Sequence, residues 1–497
     1  MKVGKYELDL QQQEIVYDKS DELLVIAGAG SGKTLTILGK IKYLIKNQKI
    51  NPSDIMCISF TREATLSLEN KLKEELNLDI NVYTFHKLGL IILENKYKIA
   101  STDTLDNIID TFFKFDIFQN KIILKKLIRY LNLKNIEDYK EYINKKEIYE
   151  LEKLISTFIK LFKSNNYELN NFNLFIKKIR SINIFKYRKE KTLLTLILNI
   201  YIIYQNYLDK NAEIDFDDML IKAIKNIDKF NKKLKYIIID EYQDTSYLRF
   251  SLIKALKDKT GSKLMVVGDD FQSIYRFTGC DLNLFLNFKK YFKESKILKI
   301  ENTYRNSNQL INIAGSFVMK NKKQVKKNLK SIKNLNYPIQ IVYYQEEKIM
   351  FKKLIKYIYN KSHSEILVIG RNNYDIYNFI DNSFKFENNN LVYLDNLDIK
   401  IRYLTAHKSK GLESDNTIII NLTNKINGFP NKMKDDSLFR LVTKYEKYPY
   451  SEERRLFYVA LTRTKNYCYL LTPNNKKSIF VEELLKKYKK KIKILKI

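Results

Sequence analysis

Residues 23–34 read LLVIAGAGSGKT, and this stretch decides the fold. Its apolar start, residues 23–26, is typical of a buried strand. Glycines and then Lys33 and Thr34 follow it, before a helical pattern over residues 35–45. A strand, a glycine-rich turn and a helix start form a phosphate cradle, because the backbone N–H groups and the helix dipole both favour an anion. We expect Lys33 at the β- and γ-phosphates and the Thr34 hydroxyl on Mg²⁺.

One position departs from the usual pattern of such a loop. The first residue of G-x-x-x-x-G-K-[ST] is Ala27 here instead of glycine. A glycine-rich loop without a ligand is the alternative interpretation. The strand–turn–helix context around Lys33 and Thr34 favours a nucleoside triphosphate site.

The charge of the chain bears on its partners. Its 497 residues carry 89 Lys and Arg against 57 Asp and Glu, a formal net charge of +32. This excess suits a polyanion, and nucleic acid is the first candidate. The alternatives are a compositional bias that enriches Lys, Asn, Ile and Tyr, and an anionic membrane, although no lipidation motif or basic amphipathic anchor is found.

Cysteine spacing and hydropathy indicate a compartment. The three cysteines, Cys57, Cys280 and Cys468, are far apart and offer neither a zinc spacing nor a disulfide framework. No apolar run is long enough to span a bilayer. The sequence therefore predicts a cytoplasmic protein without a membrane partner.

Two further strands end in polar side chains that suit the same chemistry. Residues 236–239 precede Asp240 and Glu241, and residues 264–267 lead to Gln272. Beside a phosphate cradle, Asp240 could hold Mg²⁺ and Glu241 could activate the attacking water. Gln272 could sense the loss of a γ-phosphate. An isolated acidic pair is more often a solvated turn, but its place after a buried strand favours function.

Aromatic and amide side chains near the strand ends suggest further contacts. Phe60 and Phe85 fall where α/β proteins place ligands, although a core position is an equal alternative for each. Tyr275 and Phe277 could stack on bases. Gln12 could read an adenine edge, because its amide both donates and accepts.

The order of patterns predicts the division of the chain. Residues 1–86 and 211–279 form a first α/β domain, and the helical, lysine-rich residues 87–210 form an insertion that covers DNA. Past Gly279 a second α/β pattern runs from residue 280 to residue 497. Within it, residues 381–390 (DNSFKFENNN) are interpreted as polar and turn-like.

These motifs, in this order, resemble the superfamily 1A DNA helicases of the UvrD/Rep type. The motifs AGAGSGKT, IIIDEYQDTS, VVGDDFQSIYRFTG, TAHKSKGLE and EERRLFYVALTRT span nearly the whole chain. The resemblance implies an α/β fold of two RecA-like P-loop domains, with ATP and Mg²⁺ between them and single-stranded DNA across the top. It also implies a helical insertion called 1B in the first domain. The 2B insertion of the second domain would be absent or vestigial, at residues 372–400.

The resemblance assigns roles to individual residues. The expected catalytic residues are Glu241, Gln272, Arg305 and Arg463, the two arginines acting as fingers from the second domain. The expected nucleotide contacts are Gln12 at the adenine, the loop Ala27, Gly28, Ala29, Gly30, Ser31, Gly32, Lys33 and Thr34, together with Tyr304, Gly411 and, at the ribose, Glu413. The expected metal ligands are Thr34 and Asp240. The expected DNA contacts are Phe60, Thr61, His86, Tyr275, Phe277 and His407.

Two features place the chain nearest the bacterial DNA helicase IV branch of this family. Phe277 and Thr278 stand where UvrD and Rep have Trp-Arg, whereas that branch has Arg-Phe-Ser/Thr-Gly. That branch also resembles residues 435–441, DDSLFRL.

The resemblance implies an ATP-dependent 3′→5′ DNA helicase that acts on single strands and on single/double-strand junctions, in repair, replication or recombination. One alternative is a translocase that displaces proteins, such as RNA polymerase or repair proteins, without processive unwinding. Another is a DNA-binding scaffold that uses ATP only as a switch, which the complete hydrolytic set disfavours.

Overall fold

The computed structural model describes residues 1–179, 184–387 and 390–497. It contains a first α/β domain, a helical region that interrupts it, and a second α/β domain. Within these residues no helix combines the length and the apolarity needed to cross a bilayer.

The first domain is built from two stretches of chain on either side of the helical region. The first stretch contains β1 (Lys2–Val3), β2 (Tyr6–Glu7), α1 (Leu10–Tyr17), β3 (Glu22–Ala27), α2 (Lys33–Lys46), β4 (Ile55–Ser59), α3 (Arg62–Leu76), β5 (Asn81–Thr84) and α4 (Phe85–Ile92). The helical region contains β6 (Lys98–Ile99), α5 (Thr104–Lys114), α6 (Lys121–Tyr130), α7 (Ile136–Asn144), α8 (Tyr149–Ser164), α9 (Asn171–Ile179), α10 (Ile184–Lys210) and β7 (Glu213–Ile214). The second stretch contains α11 (Phe216–Lys225), β8 (Tyr236–Ile239), α12 (Tyr247–Thr260), β9 (Lys263–Gly268), α13 (Leu282–Leu286), α14 (Phe288–Tyr291) and β10 (Lys296–Ile300).

The first sheet is parallel throughout, in the order β10-β3-β9-β8-β4-β5. Alternate residues of β3 enter two different cores. Leu24 and Ile26 pack in one, and Leu23 and Val25 pack in the other. Because side chains alternate between the faces of a strand, both faces of this sheet are covered. That explains why residues 23–26 read as a continuous apolar run, and it confirms the predicted strand.

The second domain follows β10. It contains α15 (Asn308–Val318), β11 (Ile339–Tyr344), α16 (Glu347–Ser362), β12 (Ile366–Gly370), β13 (Phe384–Glu387), β14 (Asn390–Tyr393), β15 (Lys400–Thr405), β16 (Ser414–Ile419), α17 (Phe439–Val442), α18 (Ser451–Leu461), β17 (Thr464–Pro473), α19 (Ile479–Tyr488) and β18 (Lys493–Leu495). Its strand order is β13-β14-β15-β12-β16-β17-β11-β18. Only the β13–β14 and β14–β15 pairings in this sheet are antiparallel, among the described residues.

Two predicted domain boundaries and one segment predicted to be turn-like differ from the structure. The strand β10, assigned to the second domain, pairs in parallel with β3 in the first sheet. A boundary at residue 87 falls inside α4, which continues to Ile92 because its apolar face packs against α11. Of residues 381–390, predicted to be turn-like, residues 388 and 389 lie outside the described chain, and the others include β13, which buries Phe384.

The hairpin of β13 and β14 extends the edge of the second sheet. Leu391 and Tyr393 pack in the same core as Val368 of β12. The alternation of buried and exposed residues in this short segment was masked by its polar composition. In the described part of residues 372–400, β13 and β14 thus belong to the sheet of the second domain.

The helical region shares its core with the second domain. Leu438, Leu441 and Val442, at α17, are buried among residues of α5 to α10. The Ser437 hydroxyl donates to Glu190 Oε1 over 2.7 Å. A segment between β16 and α18 thus joins the second domain to the helical region by apolar burial.

Candidate functional site

Parallel strands bring the predicted site residues to one edge of each sheet. In the first domain, the glycine-rich loop follows β3, Asp240 follows β8, and Asp269 follows β9. In the second domain, His407 follows β15. The carboxyl ends of parallel strands are where doubly wound α/β proteins bind ligands.

The glycine-rich loop has the conformation of a phosphate cradle. Gly30 has φ 68°, and a Cβ there would lie 2.5 Å from the Cβ of Arg305. A glycine is therefore required both by the backbone conformation and by the close approach of the second domain. Ala27 is the last residue of β3, opposite Ile300, so the loop itself starts at Gly28.

Two groups in this loop are suited to an anion. No side-chain hydrogen bond caps the N-terminus of α2 at Gly32, as far as the described residues go. The buried Ser31 hydroxyl has no hydrogen-bond partner among the described residues either. Because buried polar groups are normally paired, these donors fit a phosphate at the start of α2.

Two predicted nucleotide contacts, Gln12 and Tyr304, lie together beside the loop. Gln12 is fully buried, and its Nε2 donates to the Ser31 carbonyl over 3.1 Å. Asp9 caps α1 by accepting from the Gln12 N–H and also accepts from the Tyr304 hydroxyl over 2.6 Å. Tyr304 is 52% exposed, so its ring is available to a ligand.

Two lysines hold the predicted general base. Lys33 Nζ lies 2.8 Å from Glu241 Oε1, and Lys410 Nζ lies 3.6 Å from Glu241 Oε2. Burial opposes ionisation, but Lys33 and Lys410 outweigh it and hold the pKa of Glu241 below its usual value. Burial and then the charge of Glu241 raise the pKa of Asp240 to about 6.

The backbone at Glu241 is also unusual. Its φ is 52°, in the left-handed region that non-glycine residues adopt rarely. Gln243 Nε2 donates to Glu241 Oε2 over 2.5 Å and fixes the carboxylate. Strained backbone of this kind is found at functional sites, where the surrounding structure enforces it.

The predicted γ-phosphate sensor contacts the second domain. Gln272 Nε2 donates to Asp269 Oδ2 over 2.6 Å, and Gln272 Oε1 accepts from Arg463 Nη2 over 3.3 Å. Arg463 is 1% exposed, and its Nε donates to the Val459 carbonyl. It follows α18, which ends at Leu461.

The second predicted finger is paired within the second domain. Arg305 Nε donates to Glu413 Oε2 over 2.7 Å. Glu413, expected at the ribose, is thus the partner of Arg305, with Lys465 3.3 Å away. Gly411 has φ 86° and borders open space, since nothing described lies within 4 Å of the position of its Cβ.

The residues present fit Mg²⁺ bound together with a nucleotide. Within the described chain no group of three or more His, Cys, Asp and Glu side chains could hold a metal ion. Mg²⁺ in nucleotide sites needs only one or two carboxylates, because phosphates and water complete its shell. The Thr34 hydroxyl at the start of α2 and the Asp240 carboxylate supply oxygen ligands of this type.

Three predicted DNA contacts form one aromatic cluster across the two domains. The ring centroid of Phe277 lies 6.0 Å from that of Tyr275 and 5.6 Å from that of His407. Tyr275 and His407 are 6.2 Å apart. Phe277 is 56% exposed, so the cluster offers a stacking surface made by both domains.

The other predicted DNA contacts lie in the first domain alone. Phe60 contacts Phe85 at 5.2 Å, with the Arg249 guanidinium over its ring. His86 contacts Phe216 at 4.9 Å. Thr61 caps α3 by accepting from the Ala64 N–H. Phe85 is 2% exposed and belongs to the core, as one of its two interpretations held.

Sequence reasoning missed several side chains that cross between the domains, among them Lys410 and Tyr458. Lys410 pairs with Asp244 and donates to the Gln272 carbonyl over 3.0 Å. The Tyr458 hydroxyl lies 3.5 Å from the Ala29 nitrogen. Both residues lie inside motifs quoted above, TAHKSKGLE and EERRLFYVALTRT. For Lys410, its position next to Gly411 was the feature of the sequence that could have indicated a role.

Two family descriptions match the chain. The UvrD/REP helicase N-terminal domain matches residues 8–293, and the UvrD-like helicase C-terminal domain matches residues 387–475.

Among curated proteins, DNA helicase IV of Escherichia coli is 27% identical over 96% of this chain and 70% of its own length. ATP-dependent DNA helicase Rep of Buchnera aphidicola (Acyrthosiphon pisum) is 31% identical over 74% of this chain and 54% of its own. ATP-dependent DNA helicase PcrA of Bacillus subtilis is 29% identical over 64% of this chain and 40% of its own. The chain thus spans 70% of the first relative, 54% of the second and 40% of the third.

The fold and the site define a P-loop nucleotide-binding protein of two α/β domains, whose cleft is lined by both. The chain belongs to the UvrD/Rep helicase family.

Proposed function

We propose that the protein is an ATP-dependent DNA helicase that moves 3′→5′ along single-stranded DNA. One observation carries the proposal: Lys410 and Arg463 of the second domain reach Glu241 and Gln272 of the first domain. Hydrolysis at this cleft is therefore coupled to the relative position of the two domains. The polarity and the action on DNA rest on the likeness to family members.

The contacts of Glu241 suggest how ATP starts the reaction. Lys33 is held by Glu241 before nucleotide arrives. The phosphates compete for Lys33, because two phosphate charges attract an ammonium more strongly than one carboxylate. Glu241 then orients a water and accepts its proton, with Gln243 fixing the second carboxylate oxygen.

Thr34 and Asp240 would hold Mg²⁺, which would supply positive charge to neutralise the phosphates of the nucleotide. Arg463 and Arg305 stabilise the charge that develops on the transferred phosphoryl group. Arg305 exchanges Glu413 for phosphate in this step. Both arginines act only when the cleft is closed, because both belong to the second domain.

The aromatic cluster links this closure to DNA. Tyr275 and Phe277 belong to the first domain and His407 to the second, and their rings touch. Movement of the second domain changes the spacing between these rings. Bases stacked on them are gripped or released in turn, and the motor advances along one strand.

We further propose that the helical region, not a swivelling 2B domain, contacts duplex DNA. Within the described part of residues 372–400, β13 and β14 lie in the second sheet. The helical region stands next to the aromatic cluster, because the end of α8 packs against Gly279. In this proposal the two α/β domains are the motor, and the helical region binds the duplex.

A single set of assays tests the proposal. ATPase is measured with and without single-stranded DNA, together with strand displacement on 3′-tailed and 5′-tailed duplexes. We expect DNA-stimulated turnover and displacement only with the 3′ tail. Displacement only with the 5′ tail would refute the polarity, and absent turnover would refute the motor.

The second candidate function is a translocase that removes bound proteins, such as RNA polymerase, without unwinding. The limited length of residues 372–400 favours it, since their described part contributes β13 and β14 to the second sheet and forms no separate domain. Such a protein shows DNA-stimulated ATPase and displaces a protein block from a single strand. It leaves a 3′-tailed duplex intact.

A further inference from the structure

A segment of the second domain returns to the first domain between α15 and β11. Residues 324–331, here called the return segment, run beside the end of β10. The Lys330 N–H donates to the Glu301 carbonyl over 2.9 Å. A Cβ placed on Gly28 would come within 2.7 Å of Leu329 Cδ2. The return segment therefore touches the phosphate loop directly.

The return segment buries one lysine. Lys327 and Leu329 face inward, whereas Lys326 and Asn328 are exposed, as in an extended strand. Lys327 Nζ pairs with Asp269 and lies 2.6 Å from Asp270 Oδ1. It also lies 3.7 Å from the centroid of the Phe271 ring. The side chains of Lys327 and both aspartates are at most 1% exposed.

Asp269 connects this lysine to the reacting groups on two sides. Its Oδ2 accepts from Gln272 Nε2 over 2.6 Å. Its backbone N–H donates to Gln243 Oε1 over 2.9 Å, and Gln243 in turn donates to Glu241. Lys327 itself touches neither Gln272 nor Glu241 by these bonds, so any effect on them passes through Asp269.

The hydrogen bond to Asp269 decides which way the Gln272 amide faces. Because Nε2 is held by a carboxylate, which only accepts, Oε1 must point to the other side. There it accepts from Arg463 Nη2. A carboxylate held in place at Asp269 fixes this orientation, but a displaced carboxylate does not.

A buried carboxylate stays ionised only when it is paired. Isolated burial of such a charge is unfavourable enough that the group takes up a proton instead. Asp269 and Asp270 share a fully buried site and would repel each other without a cation. Lys327 supplies that cation, and we find no comparable role for its exposed neighbour Lys326.

We propose that Lys327 is a positioning residue for Gln272, acting through Asp269 from the return segment. The inference rests on the proposed function, in which Gln272 senses the γ-phosphate. Removing the lysine charge lets the Gln272 amide turn, so the cleft distinguishes ATP from ADP less well and hydrolyses ATP more slowly. Binding of the adenine and the α- and β-phosphates is unaffected.

The test is a double-mutant cycle on the full chain. Lys327→Met is combined with Gln272→Ala, and Lys326→Met is the matched control. In Lys327→Met we expect kcat to fall about 10-fold to 100-fold, as for a misplaced catalytic group, while KM changes little. In the Gln272→Ala background the same substitution has no further effect on kcat, because the sensor is already absent. Lys326→Met matches the unsubstituted protein.

Lys327→Met alone leaves two buried carboxylates without a cation and could prevent folding, so a variant that also removes one of these carboxylates is tested. Lys327→Met/Asp270→Asn removes one carboxylate together with the lysine and is compared with Asp270→Asn alone. Competition binding of a non-hydrolysable ATP analogue and of ADP supplies the second readout. We expect the preference for the analogue to fall when Lys327 is replaced and to be retained in Asp270→Asn.

Two results would overturn the inference. One is a kcat loss of equal size with and without Gln272, which means that Lys327 acts elsewhere. The other is an unchanged preference for the ATP analogue in the compensated variant. Failure of the proposed function is a different result, since it is seen as absent DNA-stimulated ATPase in the unsubstituted protein.

Discussion

The Glu241 carboxylate accepts from Lys33 and Gln243, and the Lys410 ammonium lies 3.6 Å from its Oε2. Two of these residues belong to the first domain, and Lys410 belongs to the second. Such a carboxylate stays ionised over the physiological pH range, because the lysines lower its pKa. In this structure the carboxylate that we propose as the general base is therefore ionised.

Substituting Glu241→Gln tests that role. The amide keeps the size of the side chain but accepts no proton from water. We expect ATPase turnover to fall on the order of 100-fold or more, with ATP and DNA binding retained. Steady-state ATPase and nucleotide binding are measured side by side. Glu74→Gln, an exposed change on α3, is the control, and near-normal turnover in Glu241→Gln would place the base elsewhere.

The buried His86 predicts how stability depends on pH. Burial, and then the charge of Arg249, lowers the pKa of His86 to about 4. In the unfolded chain the pKa is about 6.5. Between these values the unfolded chain binds a proton that the folded chain does not, so stability falls as the pH drops from about 6.5 toward 4.

His86→Asn should flatten this dependence. We expect its melting temperature to decline less than that of the unsubstituted protein between pH 7 and pH 5. Thermal unfolding is followed at each pH. His363→Asn, at the C-cap of α16 and away from His86, is the matched control substitution. An equal flattening in both variants would contradict the role of burial at His86.

Among the elements, α17 has four residues but completes the core of another region. Leu438 at its N-cap is 1% exposed and packs with helices α5 to α10. Leu438→Ala should destabilise the protein by about 2–5 kcal/mol, because the cavity lies between two parts of the fold. Melting temperature and protease resistance measure the loss. Leu174→Ala, on the exposed face of α9, should change both within error.

The same packing changes the design of a deletion experiment. Removing residues 87–210 would cut α4 and expose Leu438, Leu441 and Val442. Reduced unwinding in that variant would then report misfolding as well as weaker binding to duplex DNA. Surface substitutions on the intact chain separate the two effects.

For the whole molecule, the net charge of +32 predicts that its affinity for nucleic acid falls steeply as the salt concentration rises. Lys125→Glu/Lys126→Glu reverses two exposed charges on α6 of the helical region. We expect weaker binding to a single/double-strand junction, and a salt slope reduced by about 1 for each lysine–phosphate interaction that the substitutions remove. ATPase stimulated by a single strand should be unchanged.

The control places the same charge change on the first domain. Lys71→Glu/Lys73→Glu alters exposed residues of α3. Equal loss of junction binding in both variants would show that only total charge matters. Fluorescence anisotropy over a salt series measures each slope.

The sequence by itself determined the local chemistry of this protein. The apolar strand of residues 23–26, the glycines that follow it and Lys33 form a phosphate loop wherever they fold, because strand, turn and helix signals are local. The same holds for Asp240 and Glu241 after β8. Motif order was sufficient for the family, which the matches over residues 8–293 and 387–475 confirmed.

Only the tertiary structure decided which distant side chains meet. Lys410 with Glu241, Lys327 with Asp269, and Leu438 with the helical core are separated by long stretches of chain. No periodicity or spacing encodes such pairs, since they depend on how sheets and helices pack. Likewise β10 joined the first sheet because its place beside β3 is fixed by hydrogen bonds between remote strands.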